Sequence, residues 1–415
     1  MSFTHSDRPG RAYLATPPFQ SPIEESGSEA DHSQFWSGAV LGLSAILAVI
    51  LCTSYAGSWN DGSRLATVEA LVDHGTWAID DSIFVRPVPG HSPYPESSSL
   101  TRTGTMDKMF IDGQFYSDKS PVPALLMAGQ YWVIQKLTGL KASEHPRNFC
   151  LVMTLLSSGL AYVVAVWCMY LLGQRVGLSL GLRLMATGAF ALSSLAPVYL
   201  RQVNNHILLL GVASPLMLAL HRLGEHRRKG RSIRGPLLAI GLLTGFGYTI
   251  DLGVGPVLLL TMSLYIVWRC WNVGAVLFYG LLVLPWLLLH HVVNYSIGGA
   301  LAPANSVAEH FLYPGSPFNA ENMTGAWKHP TLGRGAVYLL ALLFGKHGFF
   351  GHNLPLFLLL SGTFILLYRR VKERPEMVVA LLWCGGTWLL YGSASTNYSG
   401  YCASVRWFVP LLAPS

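Results

Sequence analysis

Lys119 sits in the stretch DGQFYSDKSPVPAL (residues 112–125), after Tyr116 and Asp118 and before Pro121 and Pro123. A lysine at the start of an apolar run is costly unless an anion lies beside it. One reading is an Asp118–Lys119 pair at a membrane surface, which contributes little energetically. The other is a point charge for a phosphate, with the prolines fixing the backbone behind it. On either reading the lysine is expected to add little to folding stability.

A second candidate, Asp61, lies in SYAGSWNDGSRLATVEALVDHGTWAID (54–80), a few residues beyond an apolar run. Arg64 follows about one helical turn later, and Leu65, Val68, Leu71 and Val72 mark one side of a short amphipathic helix. Asn60 or Asp61 can cap that helix, the usual task of such residues at a helix start. Asp61 can equally be a carboxylate held at the membrane mouth as a general base or a metal ligand. In RQVNNH (201–206), Asn205 reads as a helix cap, while His206 can meet a phosphate, a metal or a backbone carbonyl. Asp251 interrupts GYTIDLGVG, and an acid at that depth marks a functional site by default, with glycines that permit a helix break. Arg201 and Arg406 each read as snorkelling side chains when taken alone, but with Lys119 they form three cations near span ends. His290, His291 and Glu309 are weaker candidates.

The elements that must position these residues follow from composition. The 415 residues are 51% hydrophobic and 12% charged, against roughly 25% charged in average soluble domains. Apolar runs occupy about residues 35–56, 149–173, 179–200, 203–221, 235–250, 254–268, 273–293, 353–368 and 376–392, and another begins near Phe408. The expected fold is therefore all-α, a polytopic transmembrane helix bundle with a long first outer loop containing interfacial helices. The net charge of +7 comes from loops between apolar runs and gives no nucleic-acid signal. The six cysteines lack CxxC spacing, and five (Cys52, Cys150, Cys168, Cys270 and Cys384) lie in apolar segments as small buried hydrophobes. No short internal repeat is visible.

Residues 1–35 have no apolar stretch before Phe35, so they read as a disordered cytoplasmic tail and not as a cleavable signal. Residues 36–415 read as one multi-span domain. The chain ends inside what reads as the start of a span, and truncation there, or further helices, is the expectation. Orientation follows from lysine and arginine in short loops. Arg222, Arg227, Arg228, Lys229, Arg231 and Arg234 fall in 221–235, and Arg369, Arg370, Lys372 and Arg374 in 368–376. Both loops are expected to face the cytoplasm. That count puts 57–147, 201–206, 250–253, 294–352 and 393–406 outside, on the side of every polar candidate above. Residues 120–137 and 333–353 read as interfacial or re-entrant helices, too short or too interrupted to span.

These features resemble the C-type glycosyltransferase superfamily, nearest to the protein O-mannosyltransferase and lipid A aminoarabinose transferase group. An acid directly after the first span corresponds to Asp61, with Asn60 in place of a second acid. The family's lysine–proline motif reads here as Lys119-Ser120-Pro121, with Ser120 for the first proline and Pro123 beyond. NYSGYCASVRWFVPLLAP (397–414) and LLFGKHGFFGHNLPLFLLL (342–360) are similar to stretches of uncharacterised bacterial-type members. The resemblance implies an enzyme of the bacterial inner (plasma) membrane that works at the outer face. Its expected donor is a polyprenyl-phosphate sugar and its acceptor a lipid, glycan or protein.

Asp61 is then expected to act as the catalytic base, and Lys119, Arg201 and Arg406 as the donor-phosphate site. Asn60, Arg64, Tyr116, Asp118, Asn205, His206 and Asp251 would support them. Relatives carry an acidic metal ligand in the second outer loop where this chain has none, so use of a divalent metal stays open. A transporter or flippase of lipid-linked sugars is the main alternative, and a non-catalytic assembly protein the second. A transporter should carry polar residues through the bilayer midplane, whereas here they collect at one face.

Overall fold

The computed structural model describes residues 27–319, 323, 327, 329–369, 371–400 and 402–414. Of the positions singled out above, residues 1–26, Arg370 and Tyr401 lie outside the described residues. The protein is an all-α integral membrane bundle. Among the described residues five helices contain segments long and apolar enough to cross a membrane: α1 (Gly27–Leu51), α4 (Pro146–Arg175), α6 (Asn205–Arg228), α9 (Val273–Gly298) and α12 (Arg374–Ala394). Between them run α5 (Leu180–Leu192), α7 (Arg234–Ile250), α8 (Val254–Cys270), α10 (Leu332–Phe344) and α11 (Pro355–Tyr368).

Helix α6 is the central element, with 78% of its apolar window buried. It packs against α4, α7 and a 3-10 turn at Arg406–Leu412. Small residues permit the closest approach: a Cβ on Gly211 of α6 would lie 2.6 Å from the Cβ of Ala161 in α4. Where α4 faces the start of α6 it widens into a π turn at Leu155–Gly159. Ser158 in that turn donates to the Gln202 carbonyl and accepts from the Asn204 amide, fixing the turn before α6. The end of α1 is tied to the same turn, since the Thr53 amide donates to the Arg201 carbonyl at 2.9 Å.

The basic loops meet at the opposite pole. Arg228 donates to the Lys372 carbonyl and lies 3.8 Å from Glu373, while Arg175 and Lys229 both reach Glu225. The polar stretches 57–147, 201–206, 250–253 and 393–406 are joined to one another by the contacts described below. The basic loops thus contact one another, and the polar stretches contact one another.

The first long loop is built as expected in its helices and differently between them. Helix α2 (Trp59–Glu69) continues into a π turn at Ala70–His74, and α3 (Pro121–Thr138) starts on Pro121 and ends before Gly139 at φ +72°. Between α2 and α3 stands a hairpin, β1 (Lys108–Ile111) against β2 (Gln114–Ser117), in register Ile111↔Gln114. Its turn residues Asp112 and Gly113 both have positive φ, 50° and 86°, as a two-residue Asp-Gly hairpin loop requires. The helical reading of this loop had not included these strands.

Other expectations need correction. Helix α1 begins at Gly27, so residues 27–35 are helical and not a disordered tail. The run 179–200 stops being one helix at Leu192, where the Leu195 amide turns to the Asn353 side chain and Pro197 follows. Near Phe408, where a further span was expected to begin, Arg406–Leu412 is a buried 3-10 turn packed into the bundle core. Helix α10, at 13 residues, is about 20 Å long and too short to span, as its interrupted sequence had indicated. All six cysteines are free.

Candidate active site

The polar candidates gather where α2, the β2–α3 connection, the starts of α6 and α8, and the end of α12 come together. Lys119 is 14% exposed at its side chain, and its Nζ lies 2.7 Å from both Asp118 and Asp107. The expectation that this lysine contributes little to stability is therefore corrected. It holds two nearly buried carboxylates, and removing it would leave both unpaired. Burial raises the Asp118 carboxyl above its ordinary range, Lys119 opposes that rise, and Asp107 adds to it. Ser63 on α2 donates to the Asp107 carbonyl and shares a short hydrogen bond with Ser117, tying the helix to the hairpin. The Ser120 hydroxyl donates to the Thr249 carbonyl at the end of α7. Asn305 donates to the Asp118 carbonyl at 2.8 Å.

Arg64 is 5% exposed. Its guanidinium donates to the Asn60 carbonyl and to the Asn205 side chain, both at 2.9 Å, and has no carboxylate in contact among the described residues. Burial lowers its affinity for a proton to a pKa of about 10, so it remains charged at neutral pH. Asp118, Asp61 and Asp107 act on it favourably from beyond contact distance, and Arg406 acts unfavourably. Two guanidinium groups thus lie within each other's electrostatic reach. The Arg406 Nε is buried with no hydrogen-bond partner among the described residues, while the Arg406 amide donates to the Ser399 hydroxyl. The segment holding it is strained, with positive φ at Tyr398, Ser399 and Ser404.

Asn205 relays from Arg64 to Asp251, donating to Oδ2 at 2.5 Å. The other oxygen of Asp251 accepts from the Gly253 and Val254 amides and from the Tyr391 hydroxyl. Asp251 therefore holds the first amides of α8, whose cap residue is Gly253, across the break in the apolar run, and His206 Nδ1 stands 3.5 Å from it. Tyr391 in turn stacks on Trp407, one residue from Arg406. The cap of α6 is Asn204, which accepts from the His206 amide; the reading of Asn205 as the cap is corrected, because its side chain is committed to Arg64 and Asp251.

Asp61 is buried at the start of α2. Its Oδ2 accepts from the Gly57 amide at 2.7 Å, and its Oδ1 accepts from the Ser58 amide at 2.8 Å and from the Ser58 hydroxyl. The helix cap is thus Ser58, with Asp61 as the acidic half of a capping box, and neither Asn60 nor Asp61 is the cap residue itself. Burial raises the Asp61 carboxyl above its usual range, and these hydrogen bonds counter it.

Five sequence candidates lie apart from this cluster. Arg201 is exposed, and its described hydrogen bonds run through its carbonyl to Thr53. Tyr116 turns its hydroxyl to Gln114 within the hairpin. His290 and His291 brace the loop after α9: His291 bonds the Leu301 carbonyl and Tyr248, and Asn294 links the His290 carbonyl to the Ala304 amide. Glu309 is exposed in a 3-10 turn. Asp107, Asn305 and Tyr391 were not singled out from the sequence. Among the described residues no group of three His, Cys, Asp or Glu side chains could hold a metal ion.

No protein-family model matches the chain, and no curated relative does. Two solved structures of ArnT from Cupriavidus metallidurans are similar to it. The one bound to undecaprenyl phosphate matches with a TM-score of 0.53 at 15% identity, over 92% of this chain and 58% of that one. The apo structure gives a TM-score of 0.51, with the same identity and coverage. The chain thus spans 58% of the length of the ArnT chains it matches. At 15% identity the likeness is one of architecture: this chain has the membrane-helix fold seen in ArnT.

Proposed function

We propose that the protein is a membrane glycosyltransferase that moves a sugar from a polyprenyl-phosphate donor to an acceptor at the extracytoplasmic face. The observation that carries this reading is Arg64, a buried guanidinium held by the neutral partners Asn60 and Asn205. Among the described residues no carboxylate contacts it, and Arg406 acts unfavourably on its charge. Such an arrangement is costly unless an anion completes it. A phosphate at the membrane boundary is an anion of the right charge and place, and guanidinium forks suit its oxygens. Lys119 adds a third cation, already held by Asp107 and Asp118. The resemblance to C-type glycosyltransferases and the fold likeness to an ArnT bound to undecaprenyl phosphate both support the reading.

In the reaction, an acceptor nucleophile bonds to the anomeric carbon while the bond from that carbon to the phosphate oxygen breaks. The electron pair leaves with the phosphate, whose growing charge Arg64, Arg406 and Lys119 neutralise. The acceptor proton passes to a carboxylate, assigned to Asp61 at the start of α2. Asp251 positions Arg64 through Asn205. Displacement in one step inverts the anomeric centre.

The test is incubation of the purified protein with labelled polyprenyl-phosphate sugars and a membrane extract. Label should move from the carrier to a second product. Donor binding that is no tighter than that of an uncharged polyprenol would overturn the phosphate site, and absence of transfer with every donor would overturn the activity.

A further inference from the structure

Beside α2, residues 89–101 and 145–148 enclose a cleft of ≈ 580 Å³ that the chemistry above does not use. That volume falls within the roughly 300–1,000 Å³ of small-molecule sites. Its floor is rigid. Tyr94 is 3% exposed and donates to the Phe84 carbonyl at 2.7 Å. The Pro93 carbonyl accepts from the Ala56 amide, and the His91 amide closes a turn onto Val88. Tyr94 also packs against Gly62, where a Cβ would meet its hydroxyl at 2.3 Å. The floor of the cleft therefore abuts the residue next to Asp61.

The walls are polar and balanced. Arg147 Nη2 reaches Glu96 Oε1 at 3.3 Å, joining the loop wall to the start of α4 with one charge of each sign. His91, Ser92, His145 and Asn148 add donors and acceptors, and the exposed Pro89 adds a flat apolar face. An apolar ligand would strand these polar groups, and an anion would face Glu96. A polyhydroxylated neutral ligand satisfies donors and acceptors alike and lays a C–H face on Pro89.

We propose that this cleft binds a neutral carbohydrate. The placement beside Asp61 rests on the glycosyl-transfer reading, and the sugar is either that of an acceptor glycan or the donor's own. The test is direct binding, which needs no turnover. Purified full-length chain in detergent micelles is titrated with fluorescently labelled neutral trisaccharides of glucose, mannose and arabinose, with and without saturating polyprenyl-phosphate mannose. Saturable binding is expected for at least one. Glu96→Gln and Arg147→Ala should each weaken it about tenfold, the scale of one charge-assisted hydrogen bond. Both side chains are largely exposed, so unchanged melting temperatures separate lost binding from lost folding. Binding that persists beside the donor assigns an acceptor sugar, and competition assigns the donor's. Binding without any transfer would retire the catalytic reading and leave the cleft standing. No saturable binding, or binding that both variants leave unaltered, overturns the proposal.

Discussion

Arg64 and Asn205, 141 positions apart in the chain, share a hydrogen bond of 2.9 Å. Asn205 thereby fixes a buried guanidinium with a neutral partner and leaves its charge for a ligand. Asn205→Ala should weaken binding of polyprenyl phosphate about tenfold, since a hydrogen bond to a charged group contributes roughly 1.5–3 kcal/mol. Capping of α6 should survive, because Asn204 performs it. Binding in detergent micelles, together with the melting temperature, checks both statements. Unchanged affinity would detach this pair from the ligand.

Lys119 has a structural task besides any electrostatic one. Lys119→Ala leaves Asp107 and Asp118 facing each other with their exposures of 7% and 12%. Breaking a buried pair by removing one partner costs on the order of 3–5 kcal/mol. The single variant should therefore melt markedly lower than the parent. Adding Asp107→Asn should recover much of that loss without restoring donor affinity. Equal melting of Lys119→Ala and the parent would reduce the lysine to a surface charge.

Glu69 carries a pH dependence. It is buried on α2, where its Oε2 accepts from the Ser82 hydroxyl and the Ile83 amide. Burial raises its pKa from 4.5 to about 7. Between those values the folded state holds a proton that the unfolded state has released, so this group's contribution falls as pH rises from 4.5 to 7 and is flat above. Glu69→Gln keeps both acceptor bonds and removes the titration. Its melting temperature should exceed the parent's at pH 8 and converge with it at pH 4.5 and below. Each pH unit of displacement is worth about 1.4 kcal/mol. A difference between variant and parent that does not change with pH would exclude the assignment.

The charge segregation implies a topology. Reporters placed after Arg231 and Arg369 should read cytoplasmic, and reporters near Gln114 and Asn319 extracytoplasmic. Gln114 and Arg231 on the same side would remove the basis for a one-sided site.

The bundle was legible because apolar periodicity and loop charge act over whole segments, and the break at Asp251 was visible as an acid among glycines. Local signals were less decisive where neighbours compete for a role. Adjacent Asn204 and Asn205 have the same chemistry, and only the approach of Arg64 and Asp251 decides which one caps. Asp107 had no local signal at all, since its significance lies in Lys119, reached only after the hairpin folds back. The hairpin itself left its mark in Asp112-Gly113, but four-residue strands are too short for alternation to stand out. Arg201 and Arg406 looked equivalent in sequence, and packing exposes the first while burying the Nε of the second.

Asp61 separates base from structural acid. Asp61→Asn retains an oxygen that can accept from the Gly57 or Ser58 amide and loses the carboxylate. If the carboxylate receives the acceptor proton, turnover should fall by roughly 10²-fold or more. Donor affinity should hold within about threefold, because Asp61 does not contact the phosphate-facing cations and interacts with Arg64 only at longer range. Asp61→Ala removes the acidic half of the capping box and should additionally lower stability by about 1 kcal/mol. If the residue serves only the cap, Asp61→Ala will melt lower yet keep its turnover per folded molecule, and Asp61→Asn will match the parent in both. Paired measurements of transfer rate and melting temperature on the two variants decide between these outcomes. Full activity in Asp61→Asn would remove it as the base. Asp251, whose two oxygens are already engaged by Asn205, Tyr391 and two amides, is poorly placed to replace it. Asp118, whose raised affinity for a proton and contact with Lys119 put a carboxylate beside the proposed phosphate, is then the base to test by Asp118→Asn.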